Sequence, residues 1–294
     1  MRILMKKKIW ILSEPRPDGK LQRLTRLWLA APATQQPKPM KTRILLFSVV
    51  ALALSILFTT SAQAAIPSDG LVANYPFNGN ANDVSGNGNN GLVFGATLTS
   101  DRFGNPDSAY HFGGSGDYVF IATSPSLNIT GDLTIAAWVY LSSSKVDPNA
   151  VIFSNMLETS PHNGYSFRLW DGNKLRFFSG DQSLFATTPL DAELWTHVAV
   201  VLSGTTATTY IDGTLDSSGT VAVPASSSVN PTIGASRERA YGWNGGIDDI
   251  LVYNRALSPV EISELAQLVP EPTISTLVGA GVICTLLRMS RRRS

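Results

Sequence analysis

The sequence predicts an all-β body, a sandwich or a barrel, closed by one short helix. Three observations carry this. From residue 65 to 268 short apolar runs alternate with clusters of Gly, Asn, Asp, Ser and Pro. Asp171-Gly172 and Asp212-Gly213 each stand between strand-like runs, and both residues of such pairs tolerate the φ > 0 that tight hairpins need. Only one stretch, near the end, reads as a helix.

Taken in order, the expected strands are Leu71–Phe77, Ala109–Phe112, Tyr118–Ile121, Leu133–Tyr140, Val151–Ser154, Tyr165–Trp170, Lys174–Ser179, Trp195–Leu202, Ala207–Ile211, Pro231–Gly234 and Ile247–Tyr253. The helix follows from Ser258 as its cap, Pro259 at the first helical position and Glu261 completing a capping box, and it runs to about Gln267. Leu257, Ile262 and Leu265 are placed to lean on the sheets. No linker and no regular repeat interrupts this stretch, so it reads as a single domain.

Charge separates the body from both ends. The chain has 294 residues, 23 basic and 22 acidic side chains, 44% apolar residues and one Cys. Residues 1–64 carry net +9, residues 65–269 net −11 and residues 270–294 net +3. An acidic body argues against nucleic acid, and a single Cys excludes a disulfide framework and a thiolate zinc site. Lys41 and Arg43, the apolar stretch Ile44 to Phe58 and Ala62-Gln63-Ala64 form a secretory signal peptide over 40–64, with cleavage between Ala64 and Ala65 by signal peptidase. Residues 1–39, with nine basic and two acidic side chains, are an extension that translation from Met40 would omit.

Residues 269–294 hold Pro270-Glu271-Pro272, an apolar run from Thr273 to Leu287 and a terminal cluster of Arg288, Arg291, Arg292 and Arg293. This tail resembles the PEP-CTERM sorting signal. The resemblance implies an exosortase-type membrane protease as a partner and delivery to the cell surface or extracellular matrix of a Gram-negative-type bacterium. A run of 15 residues barely spans a bilayer, so the membrane contact is expected to be transient.

Within the body, five segments occur in order: Gly70 to Gly91, Asp132 to Leu141, Leu194 to Leu202, Thr208 to Leu215 and Gly245 to Ile262. Together they resemble the laminin-G-like, concanavalin A-type jelly roll, over nearly all of 65–268. The resemblance implies a β-sandwich of two antiparallel sheets, without naming an activity. It also implies a structural Ca2+ where the N-terminal loop meets an Asp of the last strand. The candidate ligands are Asp83, Asp248 and the carbonyls of Asn78 and Asn80, in a loop dense in Asn and Gly oxygens. Strand alternation sends Asp248 and Asp249 to opposite faces, so one of them would meet the ion.

No catalytic arrangement is visible. The glycosidases of this sandwich use a Glu-x-Asp-x-x-Glu strand motif that is absent, and the five Glu and three His of the body are scattered. The protein is therefore expected not to be an enzyme. Hairpin register about Gly172 places Ser166, Arg168, Trp170, Lys174, Arg176 and Phe178 on one face, where aromatic rings suit sugar faces and guanidinium forks suit carboxylates or sulfates. The expected ligand-binding residues are Arg168, Trp170, Lys174, Arg176 and the loop aromatic Trp243, while Trp138 and Trp195 belong to the core. The preferred function is an exported, non-catalytic module binding a polysaccharide or other glycan. The alternatives are an adhesion protein with a protein partner and a glycan hydrolase with an unrecognised acid pair.

Overall fold

A computed structural model describes residues 65–114, 116–142 and 147–268. The signal-peptide cleavage at Ala64 and the sorting residues Pro270, Glu271 and Pro272 lie outside the described residues.

The strands are β1 (Leu71–Tyr75), β2 (Gly91–Phe94), β3 (Thr97–Thr99), β4 (Ala109–Gly113), β5 (Tyr118–Ile121), β6 (Leu133–Leu141), β7 (Val151–Met156), β8 (Gly164–Trp170), β9 (Lys174–Ser179), β10 (Gln182–Pro189), β11 (Trp195–Ser203), β12 (Thr206–Ile211), β13 (Thr214–Thr220), β14 (Thr232–Ile233) and β15 (Asn244–Tyr253). One sheet runs β13-β12-β11-β6-β15-β4-β3, with β1 on the second half of β15, and the other runs β10-β9-β8-β7-β14-β5-β2. All these pairings are antiparallel. This is a concanavalin A-like sandwich.

Alternation fixes which residues meet between the sheets. Ile135, Val139, Val198, Val200, Ile247 and Val252 point inward from the first sheet. Phe153, Tyr165, Phe167, Leu169, Leu175, Phe177 and Ile233 meet them from the second. Each fully buried aliphatic or aromatic side chain contributes about 1.5–3 kcal/mol over its exposed state, so this layer dominates stability.

The hairpin signals are realised in two ways. Asp212 and Gly213, at φ 48° and 75°, form a two-residue turn that pairs Ile211 with Thr214. The other turn takes three residues, with Gly172 and Asn173 at φ 71° and 60°, and pairs Trp170 with Lys174.

Helix α1 (Pro259–Leu265) carries the capping box read from the sequence. The Ser258 hydroxyl accepts from the Glu261 amide, and the Glu261 carboxylate accepts from the Ser258 amide at 2.8 Å. Its Ile262 and Leu265, with Leu257, cover Ala136, Ala199, Val201 and Leu251 on the outer side of the first sheet. At one edge the sheets are stitched by Asp216 of β13. Its carboxylate accepts the amides of Thr187 and Thr188 at 2.8 and 3.0 Å. Burial pushes that carboxyl up, but its hydrogen bonds to the two threonines outweigh this and hold it below the usual range.

Candidate functional site

The β8–β9 hairpin keeps the register expected of it. Ser166 faces Phe178, Arg168 faces Arg176 and Trp170 faces Lys174, so all six side chains stand on the outer face of the second sheet. β10 extends that face with Ser183 opposite Phe178 and Phe185 opposite Arg176.

The two arginines at its centre have different fates. Arg168 is 2% exposed and grips Glu158 with both terminal nitrogens, at 3.1 and 2.6 Å, while its Nε donates to Ser166 Oγ at 2.8 Å. This fork-on-fork pair consumes the guanidinium. The expected contact of Arg168 with a ligand is thus corrected to an internal ion pair. Arg176 is half-buried and held differently. Its guanidinium carbon lies 4.7 Å from the Trp170 ring centroid, 4.4 Å from Phe178 and 5.4 Å from Phe185. Nε donates to Ser183 Oγ at 2.8 Å, and no carboxylate pairs with it among the described residues. Burial pulls its pKa down, and the charge on Arg168 adds to that, against partial relief from Glu158 and Tyr241. Trp170 and Phe185 are 38% and 43% exposed, with ring centroids 5.5 Å apart. Lys174 is half-buried beside them. The face therefore presents two wet aromatic rings around a desolvated cation.

Trp243 and the tryptophans of the apolar runs exchange their expected places. Trp243 is fully enclosed, its Nε1 donating to the carbonyls of Tyr140 and Gly246 at 3.3 and 3.2 Å. It is a core residue and lines no rim. Trp138 and Trp195 are half-buried on the outer side of the first sheet, where they line a groove of about 570 Å³ with Arg102, Phe103, Leu194 and Leu268. Trp195 lies so close over β15 that a Cβ on Gly246 would come within 2.6 Å of it. Arg102 is sandwiched between Phe103 and Trp138 at 4.5 and 4.4 Å.

That same Arg102 answers the question of the adjacent acids. It donates to Asp248 at 3.3 Å, to Asp249 at 2.7 Å and to the Leu268 carbonyl at 3.0 Å. Asp249 has φ 46° and the β15–β6 register shifts between Asp248 and Leu251, the mark of a β-bulge. The bulge breaks alternation. Both carboxylates reach one cation, instead of pointing to opposite faces. Burial pushes both carboxyls up; for Asp248 the charge of Asp249 adds to the effect, while Arg102 opposes it for both. Asp248 is 2% exposed, too enclosed to meet a glycosidic oxygen. His197, edge-on to Trp138, is pushed down to about 3 by burial and then by Arg102, and so stays neutral.

The N-terminal loop uses its oxygens on itself. Asp83 accepts the amides of Asn74, Ser85 and Asn89 at 3.0, 2.9 and 2.9 Å. Asn80 donates to the Asn78 carbonyl and caps the Asn82 amide. Asp83 and Asp248 share no hydrogen-bonding partner. Among the described residues no group of three or more His, Cys, Asp or Glu is arranged to hold a metal ion. Asp83 and Asp248 sit in separate hydrogen-bond networks, Asp83 with backbone amides and Asp248 with Arg102, so the structure does not join them into the single donor set expected for calcium.

A laminin-G-type profile, described as the concanavalin A-like lectin/glucanases superfamily, matches residues 112–263, just over half of the chain. The chain belongs to this family. A search of curated proteins gives no match. Among solved structures, the sandwich resembles the binding domain of Paraclostridial Mosquitocidal Protein 1, at 19% identity and TM-score 0.56 over 68% of this chain, which spans about half (52%) of that one. It also resembles domain 4 of AbnA, an extracellular GH43 arabinanase from Geobacillus stearothermophilus solved with arabinotriose. That match has 21% identity and TM-score 0.55 and covers 67% of this chain and 98% of that one. A third is the sialidase of Trypanosoma rangeli in complex with sialic acid, at 16% identity and TM-score 0.53 over 78% of this chain and 39% of that one. At such identities the laminin-G-like family shares its fold with these proteins, and the fold alone fixes no activity.

Proposed function

We propose that this laminin-G-like chain is an exported, non-catalytic carbohydrate-binding protein of the cell surface or extracellular matrix, taking its glycan on the β8–β9–β10 face. One observation carries the reading: Trp170 and Phe185 stand exposed together beside a stacked guanidinium, on a sheet face that the terminal helix leaves open. Flat rings on a rigid sheet suit the apolar face of a sugar, and flanking polar groups fix its orientation. The groove on the opposite sheet is aromatic too, but its cation, Arg102, already holds two acidic side chains. Likeness to an arabinanase domain solved with arabinotriose is in keeping with a glycan ligand. Export rests on the Lys41–Ala64 pattern and on the Pro270–Arg293 tail.

A glycan-array screen of the purified protein tests this. The expected result is binding to a restricted set of polysaccharides without release of reducing sugar. Binding to none would overturn the glycan reading in favour of a protein partner, and sugar release would overturn the non-catalytic part.

A further inference from the structure

Four described arginines are half-buried or buried: Arg102, Arg168, Arg176 and Arg255. Three have an acid partner: Asp248 and Asp249 for Arg102, Glu158 for Arg168, and Glu261 for Arg255. Arg176 alone among the four has none. Its Nε is held by Ser183 and one terminal nitrogen reaches Asn149 at 3.5 Å, both neutral groups. The other terminal nitrogen makes no hydrogen bond among the described residues. Two residues away on the same face, Lys174 is likewise without a salt bridge among the described residues, and it pairs across the hairpin with the exposed Trp170.

An unmatched cation is costly where water is partly excluded, and the fold has placed two of them beside exposed rings. Glu158, the acid whose charge reaches Arg176, is committed to Arg168 by two hydrogen bonds. Three ring faces around Arg176 stabilise its charge without using its N–H donors. Among the described residues one terminal nitrogen of Arg176 keeps its donors for an oxyanion, and Lys174 supplies a second point of positive charge.

We propose that the glycan bound on this face is acidic, its carboxylate or sulfate received by Arg176 and Lys174 while its ring stacks on Trp170 and Phe185. This rests on the carbohydrate-binding reading above and adds the chemical class of the ligand.

The test must separate local recognition from the field of the whole body. Residues 65–269 carry net −11, which repels a long polyanion, so short oligosaccharides are the right probes. The purified full chain is titrated calorimetrically with trigalacturonate and with its methyl-esterified form, and in parallel with a sulfated trisaccharide and its unsulfated parent. The free acid or the sulfate is expected to bind at least tenfold more tightly than its neutral counterpart, and the preferred arm identifies the oxyanion. Arg176→Gln should reduce that preference to within about twofold. Should Arg176→Gln fail to fold, Lys174→Gln, a change at a half-exposed position, must still reduce the preference severalfold. Equal affinity for charged and neutral forms would overturn the inference while leaving glycan binding intact. Binding of neither form of either pair, alongside a positive neutral glycan on the array, would overturn it as well. A preference undiminished in both variants would place the anion elsewhere and also refute it.

Discussion

Replacing His197 by Phe should make the protein relatively more stable in acid. The ring is buried, meets Trp138 edge-on and leaves Nδ1 without a hydrogen-bond partner, so Phe, a somewhat larger ring, removes the titrating group without losing a side-chain hydrogen bond. In the folded chain the imidazole has a pKa of about 3, against 6.5 for the ordinary residue. A depressed folded value means that the unfolded chain takes up the proton first as pH falls. Stability is therefore intact above 6.5 and is lost between 6.5 and 3. At pH 4.5 this loss amounts to about 3 kcal/mol, from two units of protonation at about 1.4 kcal/mol each. The raised carboxyls of Asp248 and Asp249 act in the opposite direction, gaining stability as pH falls from alkaline toward acid. Both proteins carry them, so the difference between variant and wild type isolates the histidine. Urea unfolding at pH 7.5 and 4.5 measures it. The variant's stability relative to wild type should rise by about 3 kcal/mol on acidification, or roughly 6–12 °C in Tm for a domain of this size. A relative stability unchanged within about 0.5 kcal/mol would refute the burial and neutrality of His197.

Other outcomes follow from the packing. Trp243→Ala should cost about 3–5 kcal/mol, as for any enclosed large aromatic, while Trp195→Ala on the outer groove should cost less than half of that; chemical denaturation ranks them. Asp216→Ala should cost about 1 kcal/mol by removing its hydrogen bonds to the exposed Thr187 and Thr188 amides. Its depressed carboxyl also means that Asp216's contribution is present above the unfolded value and fades as pH falls through the folded one, which urea midpoints below pH 4 will show. Chelation by EDTA should leave Tm unchanged, since Asp83 and Asp248 are satisfied by amides and by Arg102; a fall of several degrees would restore a calcium ion.

The sequence made the sandwich legible where a strand has one wet face and one dry face. Tyr165, Phe167 and Leu169 alternate with Ser166, Arg168 and Trp170, and that period alone set the hairpin face and its register. It failed where pairing rather than pattern makes the strand. Thr214–Thr220 is polar apart from the exposed Leu215 and exists because β12 and the Asp216 stitch hold it, and Thr97–Thr99 is too short to show a period. Gly91–Phe94 and Gln182–Pro189 are likewise sheet edges, the first an apolar run too short to show a period and the second mixed in polarity.

The tryptophans were misplaced for a related reason. In Leu133–Leu141 both faces are partly covered, inside by the second sheet and outside by α1, so the run looks uniformly apolar and hides that Trp138 points outward. Trp243 sits among turn residues, yet two backbone carbonyls draw its indole inward. The Asp248–Asp249 bulge and the Arg102 bridge, 146 residues away in sequence, leave no local signature at all. The Asn-rich loop shows the same limit: its residue types suit a cation, but the fold spends them on its own amides.

On the proposed reading, glycan binds on the face carrying Trp170. Its most direct test is the Kd of Trp170→Ala for the best glycan of the array, measured beside Trp195→Ala in the groove of the other sheet. A rise of tenfold or more for Trp170→Ala, about 1.4 kcal/mol, with Trp195→Ala near wild type, is the predicted result. Loss of binding in Trp195→Ala with Trp170→Ala unaffected would place the glycan in the groove of the other sheet instead.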